Sequence, residues 1–276
     1  MRQDDHRFTA PVPGRVSCRF EDDGTLLSIA FDNGLGNILD RALVRDLSKV
    51  MSRASQTPAK VIVLEGLGAD FSYGTGIASL RPQDLSELVQ SFHNLIRSIV
   101  QLSRPLLAVV RGRCLGGGLD VVAFAHRVFV SPDARLGHPG IRVGTCPPVA
   151  SLALPHRIGE VAAENLIRTG RILCASEAHD LHLADEVAED PAAAARSYAR
   201  ACLLPLSSCA LSFAVFAARH RRHHRLLDDL DALERTDLDE LRRARGAFAG
   251  TFAPFAQPGQ PFDWESKTAR AGPWLN

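Results

Sequence analysis

The 276-residue chain carries 32 Lys and Arg against 31 Asp and Glu, a formal net charge of +1, and 46% of its residues are hydrophobic. So even a charge balance excludes the basic footprint expected of a nucleic-acid or anionic-membrane binder, and the apolar content excludes an extended disordered chain. The six cysteines, at 18, 114, 146, 174, 202 and 209, form no C-x-x-C pair, which favours free thiols over a disulfide framework or a zinc site. The opening residues Met1-Arg-Gln-Asp-Asp-His6 lack the apolar centre of a signal peptide, and no apolar run approaches the ~18 residues of a membrane span. The expectation is a cytoplasmic protein.

In chain order, residues 1–14, with Pro11, Pro13 and Gly14, read as a loose arm. Residues 16–20 and 25–31 flank Asp22-Asp-Gly24 and read as a hairpin. Leu43, Leu47, Val50 and Met51 repeat at helical spacing over 40–51, with Asp40 placed to cap. A buried strand is expected over 60–65, followed by the glycine-rich loop 66–76, in which Phe71 breaks a dinucleotide fingerprint. Residues 85–100 carry the clearest amphipathic repeat, with His93 and Arg97 on its polar, solvated side. Arg127–Val130 reads as a further strand. Beyond Val149 the pattern is helical, with candidates at 162–168, 192–203, 207–225 and 228–245. The basic run Arg219-His-Arg-Arg-His-His-Arg225 reads as the solvated positive end of the third of these. His220 and His224 have the spacing of a metal-binding pair, but no Glu lies between them as a zinc-protease motif requires. Residues 254–276, with four prolines, read as an extended tail. Strands and helices alternate over the first two hundred residues, so the fold class is α/β.

The most informative stretch is Leu106–Val110, a short apolar run that suits a buried strand, with Arg111-Gly-Arg-Cys-Leu-Gly-Gly-Gly-Leu-Asp120 directly after it. Three glycines where a strand turns into a helix let backbone approach a ligand closely and leave N–H groups unpaired. A helix N-terminus there favours a phosphate or an oxygen that becomes anionic in a reaction. The same glycines equally suit a tight turn packed against a neighbouring helix.

Val109-Val-Arg-Gly-Arg-Cys-Leu-Gly-Gly-Gly-Leu-Asp120 resembles the core signature of the enoyl-CoA hydratase/isomerase (crotonase) superfamily. Leu136-Gly-His-Pro-Gly-Ile-Arg-Val-Gly144 continues the likeness in register, and Phe71-Ser-Tyr-Gly-Thr75 precedes it. The likeness spans roughly residues 15–250 and is nearest to the cyclohexadienoyl-CoA hydratase branch. It implies a crotonase-type spiral of repeated ββα units over 1–205, with a helical C-terminal module and tail over 206–276. It also implies homotrimers, often paired into hexamers. The expected substrate is an acyl thioester carried on CoA or on the pantetheine arm of an acyl carrier protein, with no further cofactor and no metal.

By the same resemblance, the backbone N–H groups of Thr75 and Gly117 hold the thioester oxygen, and Gly74 and Gly116 count with Arg81 and Arg113 among the residues that bind the thioester and its carrier. Hydratases of the family use two glutamates. The chain has Asp120 at the first position, one methylene shorter, and Gly140 at the second. His138, two residues before Gly140, is a substitute proton-transfer group or else a hydrogen-bonded structural histidine. Cys146 and Tyr73 border the expected pocket and read first as packing residues. The usual cations for the nucleotide end of CoA are absent, which leaves Arg81 and Arg113 as candidates. Three activities fit: hydration, dehydration or double-bond migration of an enoyl or dienoyl thioester with Asp120 as the proton-transfer group; another enolate reaction, such as decarboxylation or thioester hydrolysis; and a catalytically silent thioester-binding subunit.

Overall fold

Antiparallel strands β1 (Val16–Glu21) and β2 (Leu26–Phe31) meet through a turn in which Asp22, Asp23 and Gly24 all have positive φ, which is why short polar residues and glycine occupy it. The computed structural model describes residues 15–34, 36–75, 82–143 and 148–243. The arm at 1–14, the tail at 254–276, Gly76, Arg81 and Cys146 lie outside the described residues.

Helix α1 (Arg41–Ala54) starts where expected, with the Asp40 carboxylate accepting from Leu43 N–H at 2.8 Å. Strand β3 (Val61–Gly66), helix α2 (Pro82–Val100), strands β4 (Leu106–Val110) and β5 (Arg113–Leu115), and helix α3 (Gly117–Ala123) follow. Next come strands β6 (Arg127–Val130) and β7 (Arg135–Gly137), a 3₁₀ turn (Pro139–Val143) and helices α4 (Pro148–Ile158) and α5 (Glu160–Thr169). Strand β8 (Ile172–Cys174), helix α6 (Ala175–Asp180), strand β9 (Glu186–Val187), helix α7 (Pro191–Tyr198) and helix α8 (Ser208–Arg243) complete the order.

Six strands form one sheet in the order β1-β2-β3-β4-β6-β9, parallel apart from the first pair. Its two faces are both buried, as a parallel sheet flanked by helices requires. Ile62, Leu64, Ala108, Val110, Val128 and Val130 face the main core with α1, α2 and α3, while Val61, Val63, Leu107, Val109 and Phe129 face α7. A second sheet, β5-β7-β8, is built from three-residue strands. Single parallel bridges extend its line, from Cys114 to Ser72 and from Thr75 to Leu39. Each ββα unit therefore gives its first strand to the large sheet and its second, short segment to this inner ladder: β3 with 72–75, β4 with β5, and β6 with β7. That is the expected spiral.

Three expectations change. The helices at 207–225 and 228–245 are one helix, α8, because Arg225-Leu-Leu-Asp228 holds no glycine or proline to stop it. The basic run therefore lies in the middle of a helix rather than at its end; the side chains of 220–224 lie outside the described residues. The helix expected over 192–203 stops at Tyr198 and continues as a π turn, Ala199–Leu203. Finally, His93 is 1% exposed rather than solvated, because α8 packs on α2 and brings Glu234 within 3.9 Å of its Nδ1. Arg97 beside it is tied to Asp231 and Glu234.

Candidate active site

The inner ladder brings the loop 72–75 onto the N-terminus of α3. Gly74 (φ +94°) passes so close that a Cβ there would stand 2.8 Å from Leu115 O and 3.3 Å from Gly117 N. A Cβ on Gly117 would meet Thr75 Cγ2 at 2.8 Å and the Phe92 ring at 3.2 Å. Side chains at either position would push the two segments apart, which is the local reason for glycine at both. Among the described residues, neither the Thr75 nor the Gly117 N–H donates to an acceptor. Two unpaired donors thus stand on adjoining segments beside a helix N-terminus, where the helix dipole adds partial positive charge.

Asp120 lies in the first turn of α3, and its own N–H donates to Gly116 O at 3.1 Å. The parallel register of β5 and β7 pairs Leu115 with Gly137, and Gly116 N–H donates to Gly137 O at 3.0 Å. His138, the next residue, is thereby delivered to the same turn. His138 Nε2 stands 3.3 Å from Asp120 Oδ1, and the two side chains are only 9% and 6% exposed. The contact is close enough for an ion pair but lacks the alignment of a hydrogen bond. Asp120 Oδ1, His138 Nδ1 and His138 Nε2 all lack a hydrogen-bond partner. Buried polar atoms left this way are uncommon in folded proteins and call for an explanation.

The remaining candidates divide. Gly140 sits in the 3₁₀ turn after β7, so no second carboxylate faces Asp120 from there. Arg113 pairs with Asp70 at 3.5 Å and lies over the Tyr73 ring at 5.4 Å, with 36% of its side chain exposed. Cys114 is fully buried beneath the site, and burial, followed by the Asp120 charge, pushes its thiol well above the usual range. It is a packing residue. A separate groove of about 550 Å³, lined by Arg127, Cys174, His179, Asp185 and Glu186 among others, contains none of the candidate residues. Its charges are largely paired internally, Arg127 with Glu186 at 3.3 Å and Asp185 with Arg157.

Two residues that sequence reasoning passed over stand directly behind the donors. Ser72 is fully buried inside the quoted Phe71-Ser-Tyr-Gly-Thr75 motif, and Asn37 is 2% exposed with φ +53°. A Gly-Asn pair at 36–37 carries the usual signal for a left-handed turn, which is how Asn37 was accessible from sequence.

The enoyl-CoA hydratase/isomerase family profile matches residues 21–236. The cyclohexa-1,5-dienecarbonyl-CoA hydratase of Thauera aromatica is 35% identical over 248 residues, covering 90% of this chain and 95% of that one. Among solved structures, an enoyl-CoA hydratase/isomerase from Mycobacterium paratuberculosis superposes with a TM-score of 0.79 at 23% identity, over 88% of this chain and 98% of that one. The enoyl-CoA hydratase of Bacillus halodurans also reaches 0.79, at 19% identity, over 87% of this chain and all of the other. The two structures establish the shared crotonase fold. With the glycine-built turn, the inner ladder and the profile match in agreement, this chain belongs to the enoyl-CoA hydratase/isomerase family of lyase- and isomerase-type enzymes.

Proposed function

We propose that the protein hydrates a conjugated enoyl- or dienoyl-CoA thioester, with Asp120 and His138 acting as a proton-transfer pair in place of two glutamates. The reading rests on one observation above the rest: a buried carboxylate and imidazole 3.3 Å apart, with three unpaired polar atoms between them, next to two unpaired backbone donors. The 35% identity to a dienecarbonyl-CoA hydratase over nearly the whole chain supports the conjugated acyl class.

In this scheme the thioester oxygen accepts from Thr75 and Gly117 N–H. The water oxygen bonds to the electrophilic carbon of the conjugated system, and the displaced π electrons move through the conjugation to the thioester oxygen as an enolate. The proton that water loses goes to the Asp120–His138 pair. The pair then returns a proton to carbon as the enolate collapses, so the net change is the addition of one water. Fixed dipoles aimed at charge that develops only in the transition state accelerate such a step by roughly 10²–10³-fold per donor. A positioned acid–base group adds about 10²–10⁴-fold. By microscopic reversibility the same groups serve the dehydration of the product.

Incubation with a panel of enoyl- and dienoyl-CoA thioesters, followed by mass spectrometry, tests the proposal. A product heavier by one water is the expected result. A product of unchanged mass with a shifted double bond would assign isomerisation instead, and binding without turnover would overturn the catalytic reading.

A further inference from the structure

We infer that Ser72, seated on Asn37, is a positioning residue that holds the Thr75 and Gly117 donors at the separation needed to grip one oxygen; the inference rests on the oxyanion role proposed above for those donors. Ser72 is attached to both sides of the site at once. Its backbone N–H donates to Arg113 O at 2.9 Å and its carbonyl accepts from Leu115 N–H at 2.9 Å, which binds it to the strand that leads into Gly117. Its hydroxyl accepts from Gly74 N–H at 3.0 Å, which fixes the residue before Thr75. The same hydroxyl donates to Asn37 O at 2.7 Å. Finally, Gly118 of α3 rests against it so closely that a Cβ there would stand 2.8 Å from Ser72 Cβ.

Asn37 anchors this arrangement. Its amide donates to Leu67 O at 2.8 Å and to Asp70 O at 2.9 Å, and its Oδ1 accepts from Asn33 N–H at 3.2 Å. The left-handed backbone at Asn37 aims its carbonyl at Ser72 while its side chain spans the loop after β3. Both side chains are buried, and each of these hydrogen bonds is made in a region closed to water, where a polar group left without a partner is costly. An oxyanion hole needs its donors set to a fraction of an ångström, and a misplacement of about 1 Å can lower a rate by around 10²-fold. A hydroxyl that bonds the donor loop and whose backbone bonds the opposing strand sets that distance directly.

The test is the carbonyl stretch of a ¹³C=O-labelled dienoyl-CoA bound to the full-length protein, read by infrared difference spectroscopy with kcat and KM measured alongside. In the wild type the stretch should move to lower frequency than in water, because two donors polarise the carbonyl. In Ser72→Ala at least half of that displacement should be lost, with kcat lower by about 10–100-fold and KM within about threefold. Ser72→Cys keeps the side chain's bulk with weaker hydrogen bonds and should fall between the two. It also decides the matter alone if Ser72→Ala fails to fold. A wild-type displacement kept in full by the folded variants, with unchanged kcat, would overturn the positioning role and leave the oxyanion reading intact. An undisplaced wild-type carbonyl would overturn both.

Discussion

Among the described residues, a buried charge cluster behind the large sheet and the Asp120–His138 pair at the head of α3 are finished in opposite ways. Behind the large sheet, Arg196 of α7 donates to Glu65 of β3 at 3.1 Å and to Glu21 of β1 at 3.3 Å, while Ser28 donates to Glu21 at 2.6 Å. Arg111 stands 3.6 Å from Glu65 and 3.1 Å from Asp190. The Glu65, Glu21 and Arg196 side chains are 11%, 13% and 16% exposed, and the charges interlock. At the head of α3, the Asp120 and His138 side chains are buried still deeper, yet three of their polar atoms have no hydrogen-bond partner. The Arg196 network, its groups bonded to one another, fixes a helix on a sheet; the Asp120–His138 pair makes no such bonds. Unmet hydrogen bonds alone do not pick out the site, since Arg104 Nε, His126 Nε2, Arg127 Nε and Arg157 Nε are also buried without partners; what sets the pair apart is its place beside the Thr75 and Gly117 N–H groups.

The largest effect that follows is on turnover. Asp120→Asn nearly preserves shape and removes the base, so kcat for hydration should fall by about 10³-fold while thioester binding, measured by calorimetry, persists. Stability should hold or rise slightly, since an unpaired buried carboxylate becomes a neutral amide.

Arg196→Met should do the reverse. Removing the shared guanidinium leaves Glu65 with Arg111, and Glu21 with Arg19 and Arg200, as their remaining cations, so stability should drop by about 2 kcal/mol, seen as a melting point lower by roughly 4–8 °C, with kcat little changed in the folded fraction.

A third prediction concerns His126, which accepts from Leu106 N–H through Nδ1 at 2.9 Å. Burial first, then the charges of Arg219 and Arg157, push its pKa down to about 3. Because the unfolded histidine titrates near 6.5, the unfolded chain binds the extra proton between these values. The contribution of the neutral ring is therefore complete above about pH 6.5 and is lost as pH falls towards 3. Chemical denaturation from pH 6.5 to 4.5 should show this group contributing a loss of about 1.4 kcal/mol per pH unit, absent in His126→Gln. The smallest effect marks the baseline. Arg168→Ala breaks an exposed i,i+4 pair with Glu164 and should change stability by less than about 0.5 kcal/mol, within reach of careful urea titration.

What the sequence disclosed follows the range of the interactions involved. Strand β4, the glycine turn and the Asp40 cap are local features, written in adjacent residues, and each stands where its pattern placed it. The inner ladder was not visible, because its three-residue strands hold no periodicity of their own and exist through pairing with distant segments. The same ladder makes the Asp120–His138 contact: the register of Leu115 with Gly137 brings together residues eighteen apart, which no spacing rule encodes. His93 looked solvated because its own helix shows a polar side there; the surface that buries it comes from α8, more than a hundred residues later. Ser72 was in plain view within a quoted motif, and its importance emerged only from the partners that surround it.

Chemical rescue reads whether the Asp120 carboxylate moves the proton. Asp120→Ala opens a small void beside His138 that formate can enter. Negligible turnover of a dienoyl-CoA is expected from this variant alone, with a saturable return of hydration as sodium formate is added and none with formamide. Wild-type turnover by Asp120→Ala without any added carboxylate would show that another group carries the proton.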